Sequence, residues 1–297
     1  MKRKVSKIGP STLMISLPNK WVKKYDINKG DELDIEEREK GLLIGCKKEV
    51  QFGQTKVTIH SGDHFMRRFI DTPYRIGYDE FIVNYDDPLI FEKIQNEVGN
   101  LMGFEIVEQG ENYCKVKNIA KGLESEFDVI LNRLFIVTIT MFKDLREALK
   151  KHELERLPNI EKMENMNNRL THFCKRMLNI QGYSDERKTR SIYRIVCLFE
   201  EIGDQGRDIC RYIMKNNLKI DKRYVELLND SISQMKLFYK LFNHYESEKL
   251  FEFGKKEKIY EKKGDELFLK LEKHHGFLIH CILNIFDKTK HMTEELS

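Results

Sequence analysis

The sequence predicts a multi-domain α+β protein: a short β-rich head, a small βαβαββ segment and a long all-α half. Three observations predict it. Strand-like alternation and turn residues follow each other closely through residues 1–48. Strand and helix patterns then alternate from 54 to 119. After Pro158 no proline occurs up to the end of the sequence, which suits long helices. At 297 residues there is material for two or three domains, and 40% hydrophobic with 34% charged residues is the make-up of a water-soluble chain.

In the head, the run Lys4 to Ile8 ends at Gly9-Pro10, and Leu13, Ile15 and Leu17 then alternate as a strand does. Pro18 suits the first position of a short helix, Asn19 to Tyr25. Asn28-Lys29-Gly30-Asp31 is a turn, Glu32 to Glu36 alternates again, and Glu39-Lys40-Gly41 turns into Leu42-Leu43-Ile44. A ββαββ unit of under about fifty residues removes too little surface from water to stand alone. It is expected to dimerise by intertwining its strands. Its charge is one-sided: Lys2, Arg3, Lys4, Lys7, Lys20, Lys23 and Lys24 precede any acidic residue.

The middle segment, 54–119, reads as strand (Lys56 to His60), helix (Gly62 to Tyr74), strand (Phe81 to Tyr85), helix (Pro88 to Leu101) and a hairpin. The hairpin joins Phe104–Glu108 to Tyr113–Lys117. The order βαβαββ predicts a small sheet with helices on one face. His60 and His64 straddle the strand-to-helix break at Gly62 and share no face; Asp86 and Asp87 read as a helix cap. This segment is expected to be a spacer or coupling domain.

From Lys121 to Ser297 six helices are predicted. The first carries Leu123, Phe127, Leu131, Leu134, Thr138, Met141, Leu145 and Leu149 at steps of three and four, the seam of a bundle. The second runs from Pro158 to a break at Gly182, the third from Asp185 to Asn217, the fourth from Ile220-Asp221, the fifth from Ser247 towards Lys273 with kinks at Gly254 and Gly264, and the sixth from His275 to Thr293. Two sets of three helices suggest an internal duplication. In the third helix, Glu200, Asp204 and Asp208 are spaced i, i+4, i+8 and line one edge. Gly203 and Gly206 each cost roughly 1 kcal/mol in a helix interior, so close approach of another helix or of an ion must compensate.

Two resemblances add to this. Arg3-Lys4-Val5, Gly9-Pro10-Ser11, Ile15-Ser16-Leu17-Pro18, Trp21-Val22 and Lys29-Gly30-Asp31-Glu32-Leu33 resemble the AbrB/MazE/SpoVT swapped-hairpin DNA-binding family. That resemblance implies a dimer laying a basic β surface on DNA, with Arg3, Lys4, Lys7, Lys20, Lys23 and Lys24 as cations and Ser11 and Asn19 as polar contacts. Lysines supply phosphate attraction and salt dependence rather than base choice. The segment Glu200-Glu201-Ile202-Gly203-Asp204, continuing through Arg207 to Arg211, resembles the third-helix signature of the PhoU phosphate-uptake regulators. It implies two three-helix bundles, each with an acidic E-x-x-x-D face able to hold metal. The combination is similar to archaeal phosphate uptake regulators. In the second bundle Asp287 aligns with the family aspartate but Leu283 replaces its glutamate, leaving His280, Asp287 and His291 as a weaker face.

The metal reading gives Glu200, Asp204 and Asp208 as oxygen ligands to a metal ion of unstated identity. The plainer reading pairs Asp204 with Arg207 and Asp208 with Arg211. No nucleophile elbow, phosphate-cradling loop, His-Glu-x-x-His or Glu-x-x-His pairing is present, so an enzyme is not expected. Cys46, Cys114, Cys174, Cys197, Cys210 and Cys281 form no Cys-x-x-Cys pair and read as thiols of a reducing, cytoplasmic compartment. Ser16 and Pro18 break the apolar stretch a leader needs, and Leu134 to Phe142 is too short to span a bilayer. The expectation is a dimeric DNA-binding transcriptional regulator of phosphate homeostasis, whose helical half senses a partner or metal. The alternative is an adaptor that docks on a phosphate transporter or sensor while the head only dimerises. An antitoxin role for the head is the third reading.

Overall fold

The computed structural model describes residues 2–38, 41–46, 54–120, 122–270 and 276–296. The boundaries expected at Lys48 and Lys121, the turn residues Glu39 and Lys40, and the helix ends expected at Lys273 and His275 lie outside them. The chain divides into two compact units, Met1–Phe52 and Gly53–Ser297. The α+β segment and the helices therefore share one unit.

In the first unit, β1 (Val5–Ile8) pairs antiparallel with β2 (Thr12–Ile15), from Val5 opposite Ile15 to Ile8 opposite Thr12. Gly9 supplies a φ of +75° in the turn, a conformation that costs glycine little. Helix α1 (Asn19–Lys24) follows Pro18, and β3 (Leu33–Arg38) pairs antiparallel with β4 (Gly41–Cys46). The expected ββαββ order is present.

In the second unit, β5 (Thr55–Ile59), β6 (Glu80–Tyr85), β7 (Phe104–Gln109) and β8 (Tyr113–Asn118) form a sheet in the order β5-β6-β8-β7. β5 and β6 are parallel, joined through α2 (Met66–Ile76), and the other pairs are antiparallel. Helix α3 (Phe91–Val98) follows a short turn of 3-10 helix. Buried Ile59, Phe81, Val83, Tyr85 and Val116 from the strands meet Ile70, Tyr74, Ile94 and Val98 from the two helices. Asp87 caps as expected, accepting from the Leu89 N–H at 2.9 Å. Asp86 does something else: it accepts from the Ser61 N–H at 2.8 Å and lies 3.0 Å from His60 Nδ1, tying the two loops at the sheet end together.

The helices are α4 (Phe127–Lys151), a short α5 (Leu157–Glu161), α6 (Met163–Ile180), α7 (Thr189–Asn216), α8 (Lys222–Asn243), α9 (Ser247–Lys270) and α10 (Gly276–Thr293). The six long ones pack as two sets of three, α4/α6/α7 and α8/α9/α10, around one continuous core in which Phe135, Phe199 and Phe238 meet. α9 is one continuous helix through Gly254 and Gly264. Gly264 is a close-packing position: a Cβ there would run into Leu283 of α10. Among the described residues no helix is long and apolar enough to cross a membrane.

Helix α6 departs furthest from a surface amphipathic helix. It packs on α4 and α7 on one side and on α2 of the sheet layer on the other. Consequently Glu164, Asn167, Asn168, His172, Lys175 and Arg176 are all buried. Arg176, 2% exposed, donates to the carbonyls of Tyr74 (2.9 Å) and Tyr78 (2.8 Å), pairs with Asp79, and lies over the rings of Tyr74 and Phe104. A buried guanidinium is tolerable only when its donors are satisfied in this way.

Candidate functional site

Two groups of predicted site residues stand apart in chemistry. On the first unit, Arg3, Lys4, Lys7, Ser11, Asn19, Lys20, Lys23 and Lys24 are all exposed. Lys7 sits on β1 and Lys20, Lys23 and Lys24 on α1, where i, i+3, i+4 spacing gathers them on one face. Lys24 Nζ stands 5.0 Å from the centre of the Tyr25 ring. Among the described residues none of the six cations pairs with a carboxylate, so their field is free to attract phosphate.

Among its described residues the same unit buries none. Val5, Ile8, Leu13, Met14 and Ile15 are all exposed, Leu13 by 70%, and Ile35 and Leu42 are exposed on the second hairpin. Val5 faces Ile15 across the strands and Lys7 faces Leu13, so apolar and cationic residues share a face. Exposed apolar residues packed this densely on a short hairpin mark a surface to be covered.

On the second unit, the acidic edge of α7 is turned to protein cations. Glu200 pairs with Lys175 Nζ and lies 3.6 Å from His172 Nε2, and His172 Nδ1 lies 3.5 Å from Asp71 of α2. Burial pulls the Glu200 carboxyl up, but His172 and Lys175 together outweigh it and hold it down to about 2. Arg207 pairs with Asp204 and with Asp208 (2.9 Å) and donates to Glu164 at 2.9 Å. Burial first, then the neighbouring Glu164 carboxylate, raises Asp204 above the carboxylate range to about 6 against the pull of Arg207. Arg211 does not reach Asp208; it binds Glu161 at 2.7 Å.

The three carboxylates therefore do not face one open point. Among the described residues no group of three or more His, Cys, Asp or Glu is placed to hold a metal ion, and this donor set, with Arg207 between Asp204, Asp208 and Glu164, does not fit one as it stands. In the second bundle, His291 lies 3.5 Å from Asp287 and 3.4 Å from Glu294, and His280 contacts Asn284 at 3.2 Å. His280 and Asp287 are exposed and His291 is half-buried.

Sequence reasoning passed over Glu164, Lys175 and His172, which complete the network. Glu164 stands four places after Ile160, a helical spacing that puts it in line with the apolar stripe and was the one signal that marked it as inward-facing. Gly203 and Gly206 have the packing role that helix approach requires. A Cβ at Gly203 would stand 2.8 Å from Asn167 Cγ, and one at Gly206 would stand 2.7 Å from Met141 Cε. Asn167 in turn donates to Thr138 Oγ1 at 2.7 Å and to the Phe199 carbonyl at 3.3 Å, locking α4, α6 and α7 at this level.

Comparison with known proteins bears on both units. Residues 7–52 match the family model described as antidote-toxin recognition MazE, bacterial antitoxin. The first unit is thus similar to a MazE/AbrB-type domain. No curated protein matches the chain. Among solved structures, the phosphate transport system regulatory protein PhoU from Streptococcus pneumoniae is similar at 17% identity and a TM-score of 0.42, over 57% of this chain and 94% of that one.

Proposed function

We propose that the chain is a DNA-binding regulator that acts as a homodimer through its first unit, with the helical half reading a protein partner. The observation that carries the reading is the coincidence, on one small unit, of six exposed cations with no acidic partner among the described residues and a hairpin whose apolar residues are exposed. A second copy would cover the apolar residues and double the cationic surface. The match over residues 7–52 supports the same reading. The link to phosphate supply rests on the resemblance of the Glu200–Arg211 segment and comes second to the DNA reading.

An electrophoretic shift against the DNA upstream of the protein's own gene, across a salt series, tests it. Affinity is expected to fall with salt at a slope of about 0.9 per phosphate neutralised. Neutralising Lys4, Lys7, Lys20 and Lys24 is expected to flatten that slope and abolish regulation. Regulation that survives the four substitutions assigns the head to dimerisation alone and leaves an adaptor. Capture of a toxin-like partner by the intact protein, with no DNA shift at low salt, assigns it to toxin recognition.

A further inference from the structure

The seam between α4 and α8 carries three lysines, Lys143, Lys236 and Lys240, that form no ion pair among the described residues. The two helices run antiparallel, fixed at one end by Tyr239 and Asn132 (3.4 Å) and at the other by Arg146 and Asn229 (2.6 Å). Val129, Ile136, Lys143 and Lys150 recur every seven residues along α4 and so lie on one stripe; Val129 and Ile136 are 62% and 54% exposed. Across the seam α8 contributes Lys236 and Lys240, both exposed.

Among the described residues, Lys143, Lys236 and Lys240 have no carboxylate in ion-pair reach, whereas Arg146 and Lys263 nearby are satisfied by Glu147 and Asp230. Partial loss of hydration, then repulsion from Lys143, Arg146 and Lys240, holds the exposed Lys236 ammonium below its usual range. At the Arg146 end the seam opens into a cavity of about 510 Å³ whose lining balances Arg146, Lys150 and Lys263 against Glu147, Glu226 and Asp230, so the unpaired charge among the described residues is that of Lys143, Lys236 and Lys240. From Asn132 to Lys150 the groove is about 27 Å long at 1.5 Å per residue.

We propose that this groove docks an acidic amphipathic helix of a protein partner. Lysines kept together at a cost in mutual repulsion are complementary to an acidic stripe. The exposed Val129 and Ile136 add what nucleic acid would not use and a helix with an apolar edge would: anchors at helical spacing. The length suits about five turns of partner helix. The inference deepens the partner-reading half of the proposed function and does not depend on the head. Loss of DNA binding leaves it standing, and loss of partner binding leaves the DNA reading standing.

The test uses the full-length protein and a fluorescein-labelled synthetic peptide of about 18 residues, with Leu at helical spacing and Glu on the flanking positions. Its companion is a scrambled peptide of the same composition. Wild type is expected to bind the amphipathic peptide at least about tenfold more tightly than the K143E/K236E/K240E variant does, and tighter than it binds the scramble. The charge-keeping K143R/K236R/K240R variant is expected to stay within about twofold of wild type, which separates lost charge from lost fold. Absence of binding by wild type, equal binding by wild type and the charge-reversed variant, or equal binding of the two peptides would overturn the proposal. A duplex oligonucleotide that weakens in the charge-reversed variant while the peptide does not would reassign the groove to nucleic acid.

Discussion

The hairpin β1-β2 and the helix α6 place similar residues in opposite situations. In the hairpin, Val5, Leu13 and Ile15 are apolar and exposed; in α6, Glu164, Lys175 and Arg176 are charged and buried. The hairpin lacks the surface area to make an interior and waits for one. Helix α6 is packed from both sides, and the charges it buries most deeply, Arg176, Lys175 and Glu164, are matched within the chain. An apolar residue left outside points to another copy. A polar residue taken inside points to a partner already present.

The sharpest way to break this contrast is to charge the hairpin. In an isolated chain Leu13→Asp at a 70% exposed position should change stability by about 0.5 kcal/mol or less. If Leu13 is covered by a second copy, the same substitution dissociates the dimer and lowers DNA affinity by about 100-fold or more. Sedimentation velocity and the salt-series shift assay read both, with the melting of the helical half unchanged. A variant that stays dimeric removes Leu13 from the interface.

The opposite experiment removes a buried partner. Arg176→Ala removes the guanidinium donors from the Tyr74 and Tyr78 carbonyls, breaks the pair with Asp79 and strips a cation from two aromatic faces. The expected loss is about 3–5 kcal/mol, read as a lower urea midpoint with little change in slope. Arg176→Met, which keeps the bulk, should recover only part of it. Full recovery would mean that the site needs volume rather than charge.

Much of this was legible in the sequence, and the unread remainder has a common cause. The ββαββ order, the six long helices and the packing reason for Gly203 follow from period, turn residues and glycine cost, all local signals. Tertiary contact decided what local signals could not. Asp86 left its expected capping role because the loop at Ser61 came within reach, and Gly264 is a close-packing position because Leu283 of another helix comes against it. The acidic edge of α7 was visible as Glu200, Asp204 and Asp208. Its partners were visible only in part: Arg207 pairs with Asp204 as the i, i+3 spacing predicts, but Lys175 and Glu164 come from another helix, and Arg207 also takes Asp208, which the spacing assigned to Arg211.

That network makes a pH prediction of known sign. A carboxyl held near 2 in the folded chain but near 4.5 when unfolded binds its proton more readily in the unfolded state. Glu200 therefore stabilises above about pH 4.5, and its contribution is lost as pH falls from there towards 2. Asp204, raised to about 6, works the other way: its contribution is present at low pH and is lost as pH rises through 6. Urea titrations at pH 3, 4.5 and 7 should show Glu200→Gln costing roughly 2–3 kcal/mol at pH 7 and much less at pH 3. A cost that does not change with pH would assign Glu200 a packing role only.

The smallest effects separate two glycines that look alike in sequence. Gly203 and Gly254 both lie inside long helices, and alanine is the better helix former by roughly 1 kcal/mol at each. At Gly203 the added methyl meets Asn167, whose amide is held by Thr138 and the Phe199 carbonyl and has little room to withdraw. Overpacking of about 1–3 kcal/mol outweighs the propensity gain there, so Gly203→Ala should destabilise. At Gly254 nothing lies within 4 Å of the new Cβ, so only the propensity term remains and Gly254→Ala should raise the melting temperature. Opposite signs from the same substitution would show that α7 is held by contact at this level while α9 faces open space at Gly254. A stabilising Gly203→Ala would mean that Asn167 gives way, and that the lock joining α4, α6 and α7 is looser than its hydrogen bonds imply.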